Sequence, residues 1–361
     1  MTSELKHTPL YAEHLRRNAR MVDFAGWEMP VMYGGILEEA RAVRSRVGIF
    51  DISHMGRITL TGKGATACLQ SLTSNDVSKL TSGAAQYSLL TNPNGGIIDD
   101  IIIYREGEEA YLVVINASNS AKDITWIEAH LPPTVTLTDN TLATAMIAVQ
   151  GPEASALVSE LAANSALLTL PRFGWTTSDV LNLPVTFCRT GYTGEDGFEM
   201  IMPSEIAGQV WDALVVGGAA PCGLGSRDAL RIEAGYPLYG HEIDDTTSPV
   251  EAGLMWAVKL DKGPFTGSAK IAEIKKNGAK KRLVGLLSEE RTVPRQGYNI
   301  FSGADVIGTV TSGVFSPILN RSIAMAYIAS EFAAPGTVVE AEIRGKRTAT
   351  TVTPKKDLLK R

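Results

Sequence analysis

The sequence predicts an α/β protein of the α+β type, with segregated antiparallel sheets and a barrel-like, all-β domain at the C-terminal end. Helix-like and strand-like segments are mixed up to about residue 262, whereas the last part holds short β-rich runs separated by Gly, Pro and Asn. A chain of 361 residues is also too long for one ordinary core and therefore indicates two or three packed units.

The first part of the chain contains one clear helix signal and a series of strands. Apolar residues from Ile36 to Val47 recur at the spacing of one helix face, and Gly48 stands where a C-cap glycine is expected. Alternation predicts a strand at Arg57–Thr61. The Asn/Pro/Gly turn at 92–96 predicts a hairpin. The neighbouring β-rich runs are 86–90, 97–104 and 111–115.

The rest of the chain is predicted to be mixed at first and then all-β. The apolar run Met146–Gln150 indicates a strand, and helices are expected around 153–162 and 205–215. Another helix is expected at Ser226–Ala234, with Ser226 as a possible N-cap. Four further runs are typical of the strands of a small barrel or sandwich: 282–287, 305–311, 323–328 and 338–344.

Charge and composition give no support to several kinds of partner. The formal net charge is −5, from 34 basic and 39 acidic residues, so no nucleic-acid partner is expected. No membrane span is expected, since no apolar run approaches the ~20 residues that one needs. The start, Met1–His7, shows neither a secretory h-region nor an organellar presequence, and no C-x-x-C pair occurs. We therefore expect a cytoplasmic protein, or the mature matrix form of an organellar one.

Motifs for metal, nucleotide and hydrolase chemistry are missing. No two of the five histidines stand at metal-ligand spacing and no cysteine joins them, so no metal site is expected. Neither a P-loop nor an early dinucleotide fingerprint occurs, so no nucleotide is expected, and no G-x-S-x-G elbow is present. Carboxylates, arginines and tyrosines remain, a set that suits binding a large polar ligand and moving protons.

Two adjacent carboxylates, Asp99 and Asp100, lie inside the apolar run Ile97–Tyr104. Because side chains alternate along a strand, the two must point to opposite faces, and burying either without a partner is costly. At least one is therefore expected to have a partner, a ligand or solvent. The alternative is a strand end at which one carboxylate caps a turn and the other is hydrated, and the segment alone does not separate these readings.

Two glycine-containing segments are further candidates for a site. Arg189–Glu199 has three glycines between apolar runs, which permits a tight turn and close approach of a ligand. A plain acidic turn is the simpler alternative there. Gly223–Arg231 places glycines before a predicted helix, where backbone N–H groups and Arg227 would bind an anion. A capped helix with a solvated arginine face is the alternative for this second segment.

Seven segments of the chain match a known family in order. They are 21–30, 50–56, 94–100, 191–199, 223–228, 253–259, and 308–313 together with 316–317. They resemble the aminomethyltransferase (T-protein) family of the glycine cleavage system. The resemblance implies a three-domain cloverleaf around a central folate cleft. Its implied domains are a discontinuous first domain of 1–56 and 138–262, an inserted sheet domain of 57–137 carrying Asp100, and a barrel or jelly-roll-like domain of 263–361.

The same resemblance implies the reaction and its participants. The lipoylated H-protein of the glycine cleavage system would deliver an aminomethyl group, whose methylene passes to tetrahydrofolate. Ammonia would leave and 5,10-methylenetetrahydrofolate would form. The family's catalytic aspartate corresponds to Asp100, its pterin-binding glutamate to Glu199, and a folate contact to Arg227. Further implied folate contacts are Tyr87, Met55, Asn116 and Tyr192, a stacking Trp256, and Arg295 for the anionic glutamyl tail.

Two rival functions and one departure accompany this resemblance. A folate-dependent demethylase of the same superfamily is the nearest rival, although the intact Ser53–Gly56 and Gly191–Glu199 segments favour the glycine cleavage branch. A non-catalytic folate-binding protein would carry a Lys-Gly-Cys-Tyr-x-Gly-Gln-Glu type signature, which is absent. Relatives commonly end in a Pro-Phe-Tyr-like segment, whereas this chain ends with Thr353–Arg361. A terminal tyrosine that closes the cleft is therefore not expected here.

Overall fold

The structure, a computed structural model, describes residues 4–288 and 290–359. The chain divides into two compact units. The first unit comprises the residues up to Leu69, Val77–Tyr87 and Ile101–Arg227, and the second comprises Gln70–Asp76, Ser88–Asp100 and the residues from Asp228 onward. The three-part division implied by the resemblance stays a prediction, and its outer ends at 1–3 and 360–361 lie outside the described residues.

Helices and strands alternate irregularly over the described residues. The α-helices are α1 Tyr11–Arg16, α2 Ile36–Ser45, α3 Ala65–Leu72, α4 Ser120–Glu128, α5 Ala154–Leu161, α6 Ala207–Val216, α7 Leu224–Glu233 and α8 Ser268–Asn277. The strands up to the second glycine-containing segment are β1 Arg20–Phe24, β2 Trp27–Met32, β3 Gly48–Asp51, β4 Gly56–Thr61, β5 Ala85–Thr91, β6 Ile97–Gly107, β7 Ala110–Ile115, β8 Thr136–Asp139, β9 Thr144–Gln150, β10 Trp175–Val180, β11 Leu183–Cys188, β12 Gly197–Pro203 and β13 Ala220–Pro221. The later strands are β14 Lys281–Ser288, β15 Asn299–Ser302, β16 Asp305–Ser316, β17 Arg321–Ala329, β18 Val338–Ile343 and β19 Lys346–Thr353.

The strands form sheets that confirm the predicted α/β class. β1 and β2 make a hairpin, and β5-β6-β7-β4-β8 make a five-stranded sheet. A six-stranded sheet has the order β10-β11-β12-β9-β3-β13, in which only the short β13–β3 contact is parallel. The late strands close into a barrel of order β14-β17-β16-β15-β18-β19, which decides between the barrel and the sandwich.

Strand β12 is central to the first unit, because its two faces carry different side chains. Phe198, Met200 and Met202 are buried in one apolar core together with Trp211 of α6. Side chains alternate along a strand, so Glu199 projects from the opposite face of the sheet. Burial of the apolar face thereby orients the one carboxylate in the middle of this strand.

Gly48 does not cap α2, contrary to the sequence prediction. α2 ends at Ser45 with Arg46 as its C-cap, and Gly48 instead begins β3. A Cβ atom on Gly48 would lie 2.5 Å from Val43 Cγ2 and 2.8 Å from Cys222 Sγ. Glycine is therefore needed for the close packing of this strand rather than for a helix end.

Ser226 is not the N-cap of α7, which begins two residues earlier at Leu224. Its hydroxyl oxygen lies 2.8 Å from the carbonyl oxygen of Gly223 and 2.9 Å from Glu39 Oε2, so its one proton is shared between these acceptors. The N-cap prediction is wrong because the helix starts before Ser226, whose side chain instead contacts a buried carboxylate from α2.

The C-terminal segment packs within the second unit. Leu358 is buried with Ile232, Leu283, Ile323 and Met325. Lys355 Nζ donates to the carbonyl oxygen of Gly235 at 3.2 Å. In this chain the divergent ending, as far as residue 359, therefore anchors the barrel.

Replacing Leu358 with alanine should lower the free energy of unfolding by about 2–5 kcal/mol, because the change leaves a cavity in a packed core. Leu142→Ala is the matched control, since Leu142 is 73% exposed and its truncation should cost less than about 0.5 kcal/mol. Urea denaturation of both variants measures the difference. Equal stability of the two variants would show that the C-terminal segment does not anchor the barrel.

Candidate functional site

Glu199 lies in the middle of the six-stranded sheet with its carboxylate largely enclosed. It is opposite Cys188 on β11 and Ala148 on β9, and it is 8% exposed. Its Oε2 atom accepts a hydrogen bond of 2.6 Å from Thr190 Oγ1. The Tyr104 hydroxyl lies 3.2 Å from the same Thr190 oxygen. The Thr190 hydroxyl thus contacts the Glu199 carboxylate, and the Tyr104 hydroxyl contacts Thr190.

Arg227 lies in the first turn of α7, where the charge of Glu199 acts on it. Its guanidinium lies over the Tyr192 ring, 4.8 Å from the ring centroid. Burial lowers the pKa of Arg227, while the negative charge of Glu199 and the neighbouring Tyr192 oppose that change. The structure therefore brings together Glu199, Arg227 and Tyr192, three of the residues that the resemblance assigns to folate.

One nitrogen of Arg227 has no hydrogen-bond partner in the described part of the chain. Although the residue as a whole is partly exposed, its Nη1 atom is enclosed and makes no such bond. A buried donor of this kind costs about 1–3 kcal/mol when it is left unsatisfied. The arrangement is therefore suited to a ligand that offers an acceptor to Nη1.

The start of α7 is held by the carboxylate of Glu39 from α2. Oε2 of Glu39 accepts from the backbone N–H of Gly223 and from the Ser226 hydroxyl, both at 2.9 Å. Oε1 accepts from the backbone N–H of Tyr33 at 2.7 Å. Three donors thereby fix a buried carboxylate directly before Arg227, which restricts where that guanidinium can point.

The loop before β12 is tied down by the buried side chain of Gln150. Its Nε2 donates to the carbonyl oxygen of Thr190 at 3.1 Å, and its Oε1 accepts from Thr193 Oγ1 at 2.8 Å. A Cβ atom on Gly191 would lie 2.0 Å from Gln150 Oε1, so this glycine is required by close approach. The glycines of this segment thus shape a loop around Gln150, and the plain-turn interpretation is too simple.

Met55 and Asn116 lie at one end of the five-stranded sheet. β4 pairs with β7 so that Gly56 is opposite Ile115. Met55 directly precedes the first of these strands and Asn116 directly follows the second, so the two positions are neighbours across the sheet. Tyr87 lies on β5 of the same sheet, and all three side chains are half-buried.

His54, beside Met55, is a buried group that the sequence did not single out. It is 3% exposed, and its ring packs edge to face on Phe24 with centroids 5.4 Å apart. Burial lowers its pKa to about 4, helped by the positive charges of Arg227 and Arg57 and opposed by Asp51. The imidazole is therefore neutral at physiological pH, next to the Arg227 charge.

Asp99 and Asp100 differ as the strand alternation predicts. Both lie on β6, and both belong to the second unit. Asp99 is fully buried, whereas Asp100 is half-buried. The residues therefore point to different environments, and Asp100 is the one that is accessible in part to solvent or a ligand.

Trp256 and Arg295 also lie in the second unit. Trp256 is in a short 3₁₀ helix, Met255–Ala257, and is 57% exposed. Arg295 lines a cavity of about 300 Å³ and donates to the carbonyl oxygen of Gly313 at 3.4 Å. Arg291 and Arg344 line the same cavity, and no acidic residue is among its lining side chains in the described ranges. The cavity is therefore chemically suited to an anion.

Among residues 4–288 and 290–359, no group of three or more His, Cys, Asp or Glu side chains is arranged to hold a metal ion. Across the same residues, none of the helices is both long and apolar enough to cross a membrane.

Two family profiles match consecutive parts of the chain. The profile described as the GCVT N-terminal domain matches residues 10–262, and the glycine cleavage T-protein C-terminal barrel domain matches residues 281–356. The chain belongs to the glycine cleavage T-protein family. The resemblance inferred from seven short segments is thereby confirmed.

Relatives of similar length support the same assignment. The chain is 45% identical to the aminomethyltransferase of Geobacillus kaustophilus, over 97% of this chain and 98% of that protein. It is 46% identical to the aminomethyltransferase of Symbiobacterium thermophilum, over 96% and 95% of the two chains. The crystal structure of glycine cleavage system aminomethyltransferase T from Bartonella henselae is 34% identical, covers 99% of both chains and gives a TM-score of 0.92.

The protein is accordingly an aminomethyltransferase of the glycine cleavage system, and so an enzyme. The family takes tetrahydrofolate as its substrate and works within that system. Sequence reasoning missed His54, Thr190 and Gln150 as parts of the site. All three stand in or beside segments that were noted, but their importance comes from contacts between distant strands.

His54 should make the protein less stable as the pH falls from about 6.5 to about 4. In that range the unfolded chain binds a proton at His54 and the native chain does not, so acid favours unfolding. The loss amounts to roughly 3 kcal/mol over the window, at 1.36 kcal/mol per pH unit. His54→Gln should flatten the pH dependence of the unfolding free energy there, as measured by urea denaturation at several pH values. Parallel curves for the two proteins would contradict the assignment.

Proposed function

We propose that this chain transfers the methylene carbon of an aminomethyl-lipoyl H-protein to tetrahydrofolate, releasing ammonia and forming 5,10-methylenetetrahydrofolate. The observation that carries this proposal is the enclosed Nη1 of Arg227, which has no hydrogen-bond partner among the described residues and is subject to the negative charge of Glu199. Together the two residues offer an acceptor and a donor to one flat polar ligand. Membership of the family supplies the reaction class.

The chemistry of the reduced pterin ring fits this donor and acceptor set. One edge of the ring carries an N–H beside an exocyclic amine, and a carboxylate accepts both in parallel. Glu199 would take that edge, and Arg227 would donate to an acceptor on the ring. Tyr192 would support Arg227 through the ring contact already present. Met55, Asn116 and Tyr87 would line the same ligand, and Trp256 would stack near it.

Asp100 is proposed to be the catalytic residue. Tetrahydrofolate would supply the nucleophile of the reaction when bound, namely its N5 atom. The half-buried Asp100 carboxylate would hold the ligand near N10 and assist proton movement as N5 attacks. Alignment of reacting groups by the surrounding side chains can lower the barrier by up to ~7–11 kcal/mol.

The proposed transfer balances in atoms and protons. The carbon–sulfur bond of the carrier and the carbon–nitrogen bond to the leaving amine both break. Two carbon–nitrogen bonds form, to N5 and to N10, so both folate nitrogens lose a proton. One proton ends on the lipoyl sulfur and the other on ammonia. No oxidant, reductant or metal is required for this exchange.

Two further proposals concern the glutamyl tail of the ligand and the compartment in which the enzyme acts. Arg295 would bind the anionic glutamyl tail, and its cavity, lined also by Arg291 and Arg344, supports that role. We expect the enzyme to act in the cytoplasm, or in the matrix if the form is organellar. The relatives described above are bacterial aminomethyltransferases, which favours this reaction over demethylation of a sulfonium or amine donor.

Asp100→Asn should reduce turnover by at least about 100-fold while tetrahydrofolate binding is mostly kept, because the amide cannot carry the proton. Ammonia and methylenetetrahydrofolate are followed after mixing the protein with tetrahydrofolate and aminomethylated lipoyl carrier. Asp305→Asn, at an exposed position of β16, is the control and should turn over normally. Full activity of Asp100→Asn would refute the catalytic assignment.

Arg295→Met should weaken tetrahydrofolate about tenfold, the loss expected for one charge-assisted hydrogen bond of about 1.5 kcal/mol. A tetrahydropterin without the glutamyl tail is the control ligand, and its affinity should not change. Calorimetric titration of both ligands gives the comparison. An equal loss for both ligands, or no loss for either, would show that Arg295 does not bind the tail.

A further inference from the structure

A chain of three side chains runs from the interior of the first unit to the Glu199 carboxylate. Tyr104 is fully buried on β6, and its hydroxyl lies 3.2 Å from Thr190 Oγ1. Thr190 is 8% exposed, and its hydroxyl lies 2.6 Å from Glu199 Oε2. The family resemblance implies a role for Glu199 but none for the two hydroxyl groups behind it.

The direction of these hydrogen bonds follows from proton counting. An ionised carboxylate only accepts, so Thr190 must donate its single hydroxyl proton to Glu199. Thr190 Oγ1 can then only accept from Tyr104, whose hydroxyl becomes the donor. Burial raises the pKa of Tyr104 well above its usual value, so this donor keeps its proton. The chain therefore has one fixed polarity that ends at the carboxylate.

The backbone of Thr190 is held independently of its hydroxyl group. Its carbonyl oxygen accepts from Gln150 Nε2 at 3.1 Å, and its N–H donates to the carbonyl oxygen of Cys188 at 2.8 Å. Removing the hydroxyl alone should therefore leave the loop in place. This separation makes the contribution of the hydroxyl measurable.

The hydroxyl occupies only part of the acceptor capacity of the carboxylate. Each carboxylate oxygen has two lone pairs, so Oε2 keeps one and Oε1 keeps both. Across the described residues, no hydrogen bond to Oε1 is present. A glutamate side chain that is free to rotate loses rotamer freedom when a ligand fixes it. A carboxylate that is already fixed avoids this loss on binding.

We propose that Thr190, supported by Tyr104, is a positioning residue that holds the Glu199 carboxylate in the orientation that receives the pterin N–H groups. This inference rests on the proposed role of Glu199 in folate binding. It adds a residue whose hydroxyl, and not its shape, contributes to the affinity. Thr190 does not touch the ligand in this account and acts through Glu199.

The test compares two substitutions that separate shape from hydroxyl. Thr190→Val keeps the size of the side chain and removes the hydroxyl, and it should raise the Kd for tetrahydrofolate about tenfold. Thr190→Ser keeps the hydroxyl and should stay within about twofold of the unmodified protein. Binding is measured by anaerobic calorimetric titration. Equal losses in the valine and serine variants, or no loss in the valine variant, would overturn the proposal.

A double-mutant cycle with Glu199→Gln shows whether Thr190 acts through this carboxylate. Glu199→Gln alone should weaken tetrahydrofolate, and adding Thr190→Val should then change the Kd less than about twofold. If Glu199→Gln alone leaves the Kd unchanged, the proposed function of Glu199 fails. If it weakens binding but Thr190→Val weakens it by the same factor in both backgrounds, only the positioning role fails.

Tyr104→Phe provides a second variant in case the valine substitution perturbs folding. It removes the hydroxyl at the buried end of the chain and should raise the Kd about two- to fivefold, again only when Glu199 is present. Urea denaturation midpoints are recorded for every variant, and Kd values are compared only among folded proteins. A Tyr104→Phe protein with unchanged affinity would remove the supporting role of Tyr104.

Discussion

The electrostatic attraction between the buried Glu199 carboxylate and the partly exposed Arg227 side chain is the interaction on which the site depends. A carboxylate removed from water is costly unless it is paired and hydrogen-bonded. Here the carboxylate accepts from Thr190, and its negative charge favours a guanidinium that burial would otherwise disfavour. One donor of Arg227, the enclosed Nη1 atom, has no hydrogen-bond partner among the described residues. A flat ligand with donors and an acceptor on one side would pair with both side chains.

The surrounding structure serves to hold this pair in place. The apolar face of β12, with Phe198 and Met200, packs into the core and turns Glu199 to the other side of the sheet. Glu39 fixes the first turn of α7 through Gly223 and Ser226. The buried Glu39 carboxylate therefore fixes the position of the backbone before Arg227 through several hydrogen bonds. Pre-organisation of this kind lowers the cost of binding.

Much of the fold could be predicted from the sequence, because strand and helix periodicity is local. The strand at Arg57–Thr61 and the run Met146–Gln150 were predicted with bounds close to those of β4 and β9. Gly48 and Ser226 were misjudged, since their roles are set by side chains far away in the chain. Ten strands of the described residues were not predicted: β1, β2, β3, β8, β10, β11, β12, β13, β15 and β19.

The site could be predicted only in part from residue patterns. Alternation separated Asp99 from Asp100 correctly, as their burial differs. The roles of Glu199 and Arg227 came from the family resemblance, because nothing in a single sequence reveals that β12 and α7 bring their side chains together. The Thr190–Glu199 contact depends on strand register and loop shape, which no local pattern encodes. The segments that carry candidate site residues could therefore be recognised from the sequence, but the residues that contact them in the fold could not.

A crystal structure of the protein with tetrahydrofolate bound would test the central claim most directly. Both Glu199 carboxylate oxygens should lie within about 2.7–3.2 Å of pterin N–H groups, and Arg227 Nη1 should donate to the same ring. A pterin ring bound away from Glu199 and Arg227, with Nη1 still unsatisfied, would contradict it.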